Sequence, residues 1–573
     1  MNRLTARLNT LPRDARDTLF LLAVIAWIVV PHFPELPLWC SAMTCGVLLW
    51  RGALAVQNRS LPGAFWRRAL LLGAVVGTIA SHRTVLGQEA GVTLLVALLA
   101  LKTLELRARR DALVVFFLGF FVLLTHFFNS QSMLRAACTL IGLLGMLTAL
   151  VNAHRPVGRP SLRESARCAA RMMVVGAPLM LALFVFFPRF APLWGVPGQM
   201  LGKTGLSSRM EVGSIAELAV DDTIAMRIKF DGKPPPQSQL YFRGPVLTRF
   251  EGRTWTTWGG GEGFDANFFP PREDDLQLEG EPVSYEVTLE PSRSIWLLTL
   301  DIAPEHPELP GRMRARHSAD HQWMSWRPIH EVLRYRATSW LNYRYGLLTW
   351  NGKPISDVQR EMRGYLQLPD DLNPRTRALG EEMRQRIGDD AQALVNEALA
   401  RLRSGGYSYT LEPGVMGAHT ADEFWFDKKE GFCEHISSAF AVLMRAAGVP
   451  ARIITGYQGG EVNNVDGYWT LRNSDAHAWT EVWLAGRGWV RVDPTGAVFP
   501  GRIGLTERLR PAPGLLAGAM SAISPTLLAR LRDLWEAVDN RWTQWVLNYT
   551  QTRQFDLMRA LGFDAPEDRK SVV

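Results

Sequence analysis

The chain has 573 residues, with 63 Lys+Arg against 55 Asp+Glu and a hydrophobic fraction of 47%, a length that calls for several domains. A net charge of +8 would suit a polyanion-binding protein, but residues 1–188 hold 19 basic and 7 acidic side chains, a surplus of +12 that leaves −4 for the rest. The positive charge belongs to an apolar N-terminal third, and no basic, aromatic-interleaved face is visible elsewhere, so nucleic acid is excluded as a partner.

Within that third, apolar stretches run over 18–33, 37–54, 69–88, 90–106, 112–128, 133–152 and 170–187. Several approach the roughly 20 residues that cross a bilayer as a helix. Arginines precede the first stretch (Arg3, Arg7, Arg13, Arg16) and recur in alternate connections: Arg51, Arg59, Arg67 and Arg68; Lys102, Arg107, Arg109 and Arg110; Arg155, Arg159, Arg163 and Arg167. The other connections, such as His32 to Pro37 and Asn129 to Ser132, are nearly free of positive charge apart from Arg83 and Arg135. By the positive-inside rule the N-terminus is cytoplasmic, and an odd number of spans, seven on this reading, places everything after Phe187 on the other side. Five spans with a re-entrant hairpin made of the first two short stretches is the alternative, with the same sidedness. No small-residue cleavage site follows the first stretch, which argues against a signal peptide.

Residues 189–366 change character. Alternating runs such as Thr223 to Phe230, Leu240 to Arg243 and Val283 to Leu289, punctuated by Pro234-Pro235-Pro236 and Gly259-Gly260-Gly261, predict an antiparallel β region.

From 367 to 505 helices and strands mix. Asn373-Pro374 predicts a helix start with Asn as N-cap and Pro at the first helical position. A second helix is expected from about Asp390 to Arg403, ending at Gly405-Gly406, and Thr420-Ala-Asp-Glu423 has capping-box spacing. From Cys433 to Ala447 the apolar residues Ile436, Phe440, Leu443 and Met444 recur at helical spacing before the stop Gly448-Val-Pro450. Cys433 then lies in a first helical turn, where unpaired N–H groups and the helix dipole favour a thiolate and lower its pKa. His477 to Trp483 and Gly488 to Asp493 read as a hairpin about Ala485-Gly486-Arg487. A pairing centred on Ala485 sets Glu481 opposite Trp489, Trp479 opposite Arg491 and His477 opposite Asp493, with directly opposed Cβ atoms about 5.5 Å apart. A cysteine, a histidine and an aspartate in these settings are what a thiol nucleophile, its base and an orienting acid require. The competing reading of Cys433 is a small buried hydrophobe. Cys40, Cys45, Cys138 and Cys168 lie in or beside the apolar segments, which leaves Cys433 without a disulfide partner in the downstream region.

Residues 506–573 read as helical from about Ser524 to Leu561. Leu527, Leu528, Leu531, Leu534, Trp535 and Val538 share one side, as in an amphipathic packing helix.

Three motifs carry a family likeness. Gly431-Phe-Cys-Glu-His435 opening a helix, Asp475-Ala-His-Ala-Trp-Thr-Glu-Val482, and Gly488-Trp-Val-Arg-Val-Asp-Pro-Thr495 resemble the core motifs of the transglutaminase-like superfamily over roughly Pro374 to Gly496. The run Tyr241-Phe-Arg-Gly-Pro-Val-Leu-Thr-Arg-Phe-Glu-Gly-Arg-Thr-Trp255, after several apolar segments, resembles the N-terminal region of TgpA-type bacterial inner-membrane transglutaminase-like proteins. The resemblance implies a multidomain fold: an α-helical membrane bundle, an antiparallel β domain, and an α+β papain-like core with Cys433, His477 and Asp493 as catalytic residues. It also implies a multi-pass protein of the inner membrane with its catalytic domain in the periplasm. The activity implied is transfer from a protein Gln or peptide amide, through a Cys thioester, to an amine or to water. Envelope proteins and lipid are the other implied partners. In this superfamily an aromatic upstream of the nucleophile can polarise the substrate carbonyl, which makes Tyr409 a candidate; strand packing is its alternative. Trp425 and Trp479, with Trp469 and Trp483, are candidate cleft walls, against core packing. TgpA-type proteins usually carry a further membrane span after this point, and the polar end Asp568-Arg-Lys-Ser-Val-Val573 departs from that.

No cofactor motif is visible. Cys433 and His435 are two apart on a helix and point to different faces, so they are poor joint metal ligands, and no loop clusters the carboxylates that calcium needs. The alternatives to a transferase are a cysteine peptidase or amidase of the envelope, and a non-catalytic envelope-binding module.

Overall fold

The structure is a computed structural model that describes residues 12–84, 87–106, 109–128, 132–154, 161–187, 206–213, 221–257, 271–272, 275–311, 313–350, 353–354, 361–504, 525–547 and 554. The glycine run Gly259–Gly261, the loop residues Arg107, Arg155 and Arg159, and the expected helix beyond 547, Gln554 excepted, lie outside those residues. The chain divides into two compact units, 1–199 with 542–573, and 200–541.

Each of the seven apolar stretches forms a helix: α1 (Arg13–Val29), α2 (Leu38–Val56), α3 (Ala64–His82), α4 (Gln88–Thr103), α5 (Arg109–Thr125), α6 (Met133–Ala153) and α7 (Leu162–Phe186). Ser132 and Ser161 cap α6 and α7 by accepting the Arg135 and Glu164 amides. Five segments are long and apolar enough to cross a membrane: Arg13–His32, Leu38–Val56, Ala64–His82, Met133–Ala153 and Leu162–Phe186. Helices α4 and α5, with 16 and 17 residues, are shorter than those five segments. Val30–His32 continues α1 as a 3-10 turn and brings the first segment to 20 residues. Helix α4 forms the middle of this unit, with Val96, Ala97, Leu99 and Ala100 fully buried.

The second unit is built on two five-stranded antiparallel sheets. Its strands are β1 (Ile224–Phe230), β2 (Tyr241–Leu247), β3 (Val283–Leu289), β4 (Thr299–Leu300), β5 (Leu333–Ser339), β6 (Ala451–Gln458), β7 (Glu461–Val462), β8 (Trp469–Arg472), β9 (Ala476–Leu484) and β10 (Gly488–Val492). One sheet has the order β5-β3-β1-β8-β7, the other β10-β9-β6-β2-β4. Both sheets therefore mix strands from the β-rich and the α+β parts of the sequence. Met226, Val287 and Tyr285 share one core with Phe242, Leu247 and Ile453.

Helices α8 (Pro374–Ile387), α9 (Ala391–Ser404) and α10 (Cys433–Ala446) complete this core, and α11 (Pro525–Trp542) lies later in the chain. Helix α10 is buried at every position from Cys433 to Arg445. A strand face covers one side through Ser437 Oγ, which donates to Ala478 O at 2.8 Å. Helix α8 covers another so closely that a Cβ on Gly380 would lie 2.6 Å from Ala446 Cβ. Asp390 caps α9 by accepting the Ala393 amide. The caps expected for α8 and at Thr420 form differently. Asn373 takes a left-handed φ of 55° and makes no cap with its side chain. Asp422 instead accepts the Arg375 and Thr376 amides at 3.0 and 2.7 Å, so it caps α8 from 47 residues away. Thr420 donates to Gly252 O and Glu423 accepts from the Gly417 amide, leaving no local capping box.

The β9–β10 hairpin differs from the expected register by two residues: Thr480 pairs with Val492, Glu481 with Arg491 and Trp483 with Trp489. The turn spans all of Ala485–Arg487 and closes on Leu484 and Gly488, with Gly486 and Gly488 at φ +74° and +75°, angles that glycine adopts freely. A shift of two preserves which face each side chain occupies. Asp493 therefore stays on the face of His477 but just beyond the paired residues.

Helix α11 reverses the expectation for its faces. Its polar side is the one held to the strands: Asp533 O accepts from Asn463 Nδ2 at 3.0 Å, Asp539 from Arg227 at 2.8 Å, and Glu536 from Arg472, while Asn540 donates to Asp466 at 2.7 Å. Leu531, Leu534, Trp535 and Val538 point away from the unit.

Candidate active site

Cys433 is the first residue of α10, with Phe432 in the extended N-cap conformation. Its side chain is buried, and the sulfur hydrogen-bonds the Ala478 backbone on β9. Burial pushes the thiol up to about 12, reinforced by the carboxylates Glu434 and Asp493 and opposed by Arg502 and the Ala478 hydrogen bond. This reverses the lowered value expected from the helix start, because desolvation of a thiolate outweighs the favourable groups around it.

His477 is fully buried on β9. Its Nε2 lies 2.7 Å from Asp493 Oδ2, and its Nδ1 is buried with no hydrogen-bond partner. The opposite Gly456 admits this arrangement, since a Cβ there would lie 2.1 Å from Phe242 O and 2.8 Å from Trp479. Asp493 is reached diagonally rather than across a direct pair, which the side-chain lengths allow. It accepts three hydrogen bonds: from His477, from Tyr241 OH at 2.8 Å and from the Thr495 amide at 3.0 Å. Burial works against its charge, but His477, Tyr241 and Thr495 together hold the carboxyl below its usual range.

Two groups in this site escaped the sequence reading. Tyr241, at the start of β2, makes an edge contact with Trp479 at 5.2 Å between centroids, and the Arg491 guanidinium lies 4.1 Å from its ring centre. Arg491 in turn pairs with Asp301. Arg502 is buried; it donates to Gln458 Oε1 at 3.1 Å and to the Asp475 and Ala476 carbonyls at 3.4 Å each. It also hydrogen-bonds Tyr409. All its recorded hydrogen-bond partners are uncharged, so this cation stands beside the thiol without a carboxylate among the described residues. Alternation along 241–247 was visible as a signal for Tyr241; nothing local marked Arg502.

Among the weaker candidates, Tyr409 stacks on Phe499 at 5.4 Å. Burial raises its hydroxyl pKa, and the neighbouring Cys433 adds to the rise, so it is a neutral donor close to the sulfur. Trp479 is buried beside His477 with its Nε1 unpartnered. Trp425 is a core residue and not a cleft wall: it is buried, and its Nε1 donates to Ala439 O on α10 at 3.0 Å. His435 packs edge-on against Phe432 at 4.5 Å, and burial lowers it to about 4, so it is neutral. Among the described residues, no three His, Cys, Asp or Glu side chains gather to hold a metal ion.

The TgpA N-terminal domain profile matches residues 20–346, and the transglutaminase-like superfamily profile matches 377–494. A Pseudomonas aeruginosa protein named protein-glutamine gamma-glutamyltransferase is 36% identical over 555 residues, covering 96% of this chain and 80% of that one. Uncharacterized protein YebA of Bacillus subtilis is 36% identical over 138 residues, 23% of this chain and 19% of that one. The crystal structure of the periplasmic domain of TgpA from Pseudomonas aeruginosa has 37% identity and a TM-score of 0.48, covering 53% of this chain and all of that domain.

Proposed function

Because the chain belongs to the TgpA family, an N-terminal TgpA region joined to a transglutaminase-like core, we propose that it is a membrane-anchored thiol acyltransferase acting on protein glutamine. The observation that carries this is the His477–Asp493 contact of 2.7 Å, which leaves Nδ1 as the ring's one unpaired nitrogen on the strand that Cys433 touches. The name of the Pseudomonas relative supports the glutamine γ-carboxamide as acyl donor.

In this mechanism the sulfur attacks the carboxamide carbon as its proton passes to His477 Nδ1. The two events are coupled, since burial disfavours a free thiolate. Asp493 fixes the imidazole tautomer and stabilises the imidazolium. The Cys433 backbone amide at the helix start meets the oxyanion. His477 returns the proton to nitrogen, the C–N bond breaks, ammonia leaves and a thioester remains. A primary amine then attacks the thioester, His477 takes its proton, and the thiol is restored. Water in place of the amine gives deamidation. The arginines of alternate connections support a bacterial inner membrane with the thiol domain in the periplasm.

The test uses the full chain in detergent, a glutamine-containing casein and a fluorescent primary amine. Amine incorporation that is lost in Cys433→Ala and His477→Ala is expected. Peptide cleavage without incorporation would replace the transferase by a cysteine peptidase. Alkylation of Cys433 by iodoacetamide that follows ordinary thiol behaviour and ignores His477→Ala would leave a binding module.

A further inference from the structure

We propose that α11 is an interfacial membrane helix whose outward stripe of Leu531, Leu534, Trp535 and Val538 lies in the headgroup region of a lipid bilayer. The stripe has helical spacing, and its four residues are 53%, 50%, 47% and 48% exposed. Large apolar side chains gathered on one exposed face mark an interaction site. The helix cannot turn this face inward, because its other face is committed. Glu536 and Asp539 pair with the buried arginines Arg472 and Arg227, and Asn540 with Asp466. Arg532 reaches Glu461 at 2.8 Å.

Three features point to lipid as the occupant. The chain runs from Arg541 directly into residues 542–573, which belong to the unit that contains the seven apolar helices. The stripe contains Trp535, and tryptophan favours the membrane–water boundary. Exposed arginines flank the stripe at Arg530 and Arg541, where they would meet lipid phosphates. A strongly amphipathic helix with an apolar stripe and flanking cations is the pattern of a segment lying in the plane of the interface.

The proposal rests on the chain being embedded in a membrane, and the experiment separates the two. The full chain is reconstituted into phosphatidylcholine–phosphatidylglycerol vesicles with the photoreactive residue p-benzoylphenylalanine replacing Leu534 or, separately, Trp535. A reference protein carries it at Leu181 on α7, 61% exposed. After irradiation and digestion, peptides are weighed for added phospholipid mass. Lipid adducts are expected at Leu181 and at one or both α11 positions, with the yield at Trp535 falling several-fold when Leu531→Asp and Val538→Asp are added. Lipid on Leu181 alone, with the α11 positions unlabelled or cross-linked to protein, overturns the proposal and leaves the membrane reading in place. No lipid at any position overturns both.

Discussion

Replacing Tyr241 with Phe removes one oxygen atom from the candidate site and keeps the ring between Trp479 and Arg491. The lost hydroxyl donates to Asp493 Oδ2 at 2.8 Å, the oxygen that also faces His477 Nε2. A hydrogen bond to a charged acceptor contributes about 1.5–3 kcal/mol. Losing it removes stabilisation of the carboxylate form, so the Asp493 pKa is expected to rise. That pKa starts below the usual carboxylate range, so Asp493 stays ionised near neutrality. The larger effect is then on the acid side. The acid limb of kcat/KM against pH moves upward, while the plateau falls by roughly threefold to tenfold from looser imidazole orientation. Amine incorporation between pH 4 and 9 measures both, with Asp493→Asn setting the scale of full loss. A Tyr241→Phe protein with unchanged limb and plateau refutes the assignment of Asp493 as the group that holds His477.

Glu481 accepts from Arg243, Arg452 and Tyr345 in a buried cluster. Glu481→Gln leaves Arg243 without a carboxylate there and should lower unfolding free energy by about 3–5 kcal/mol; a loss under about 1 kcal/mol in denaturant titrations would exclude a structural role for the cluster. Arg502→Gln removes the cation that opposes burial at the thiol, so alkylation of Cys433 at a fixed alkaline pH should slow, an effect Arg502→Lys largely spares; a folded Arg502→Gln protein alkylated at an unchanged rate refutes it. His435 titrates at 6.5 when unfolded and about 4 when buried, so the unfolded chain takes up the proton first on acidification. Its stabilising contribution is complete above pH 6.5 and is lost as pH falls towards 4, at up to about 1.4 kcal/mol per pH unit. Thermal unfolding of His435→Gln across that window should show a shallower pH slope than the parent; equal slopes would contradict the burial argument.

What could be read from the sequence was local. The helix behind Cys433 follows from apolar spacing and a glycine stop, and the strand partners of His477 from alternation. The face shared by His477 and Asp493 survived a two-residue error because parity, not register, decides it. The register itself depended on how many residues the turn uses, which Ala485-Gly486-Arg487 does not announce. Tyr241 reaches Asp493 across 252 positions, and Arg502 approaches the thiol from a short segment without periodicity. Local spacing also misled where tertiary contacts took over. The Thr420–Glu423 pattern looks like a capping box, but Asp422 caps a different helix, and the polar side of α11 found buried arginines that outcompeted its leucines for the unit's surface.

The seam between the two family regions explains why the site needs both. Strand β2 lies within the TgpA match and β6 within the transglutaminase-like match, and they are neighbours in one sheet. Without β2, strand β6 would present a row of unpaired backbone groups beside the strand that carries His477. The same seam holds Arg243 against Glu481 at 2.6 Å, both side chains almost wholly buried, and Tyr241 against Asp493. An ion pair so buried contributes little net stability against an apolar alternative, yet leaves either charge very costly if its partner is missing. Such a pair therefore penalises any arrangement in which the two regions are misaligned, and alignment of β2 with β6 is what delivers the Tyr241 hydroxyl to the carboxylate behind His477. The strands of the TgpA region are thus a structural part of the candidate active site.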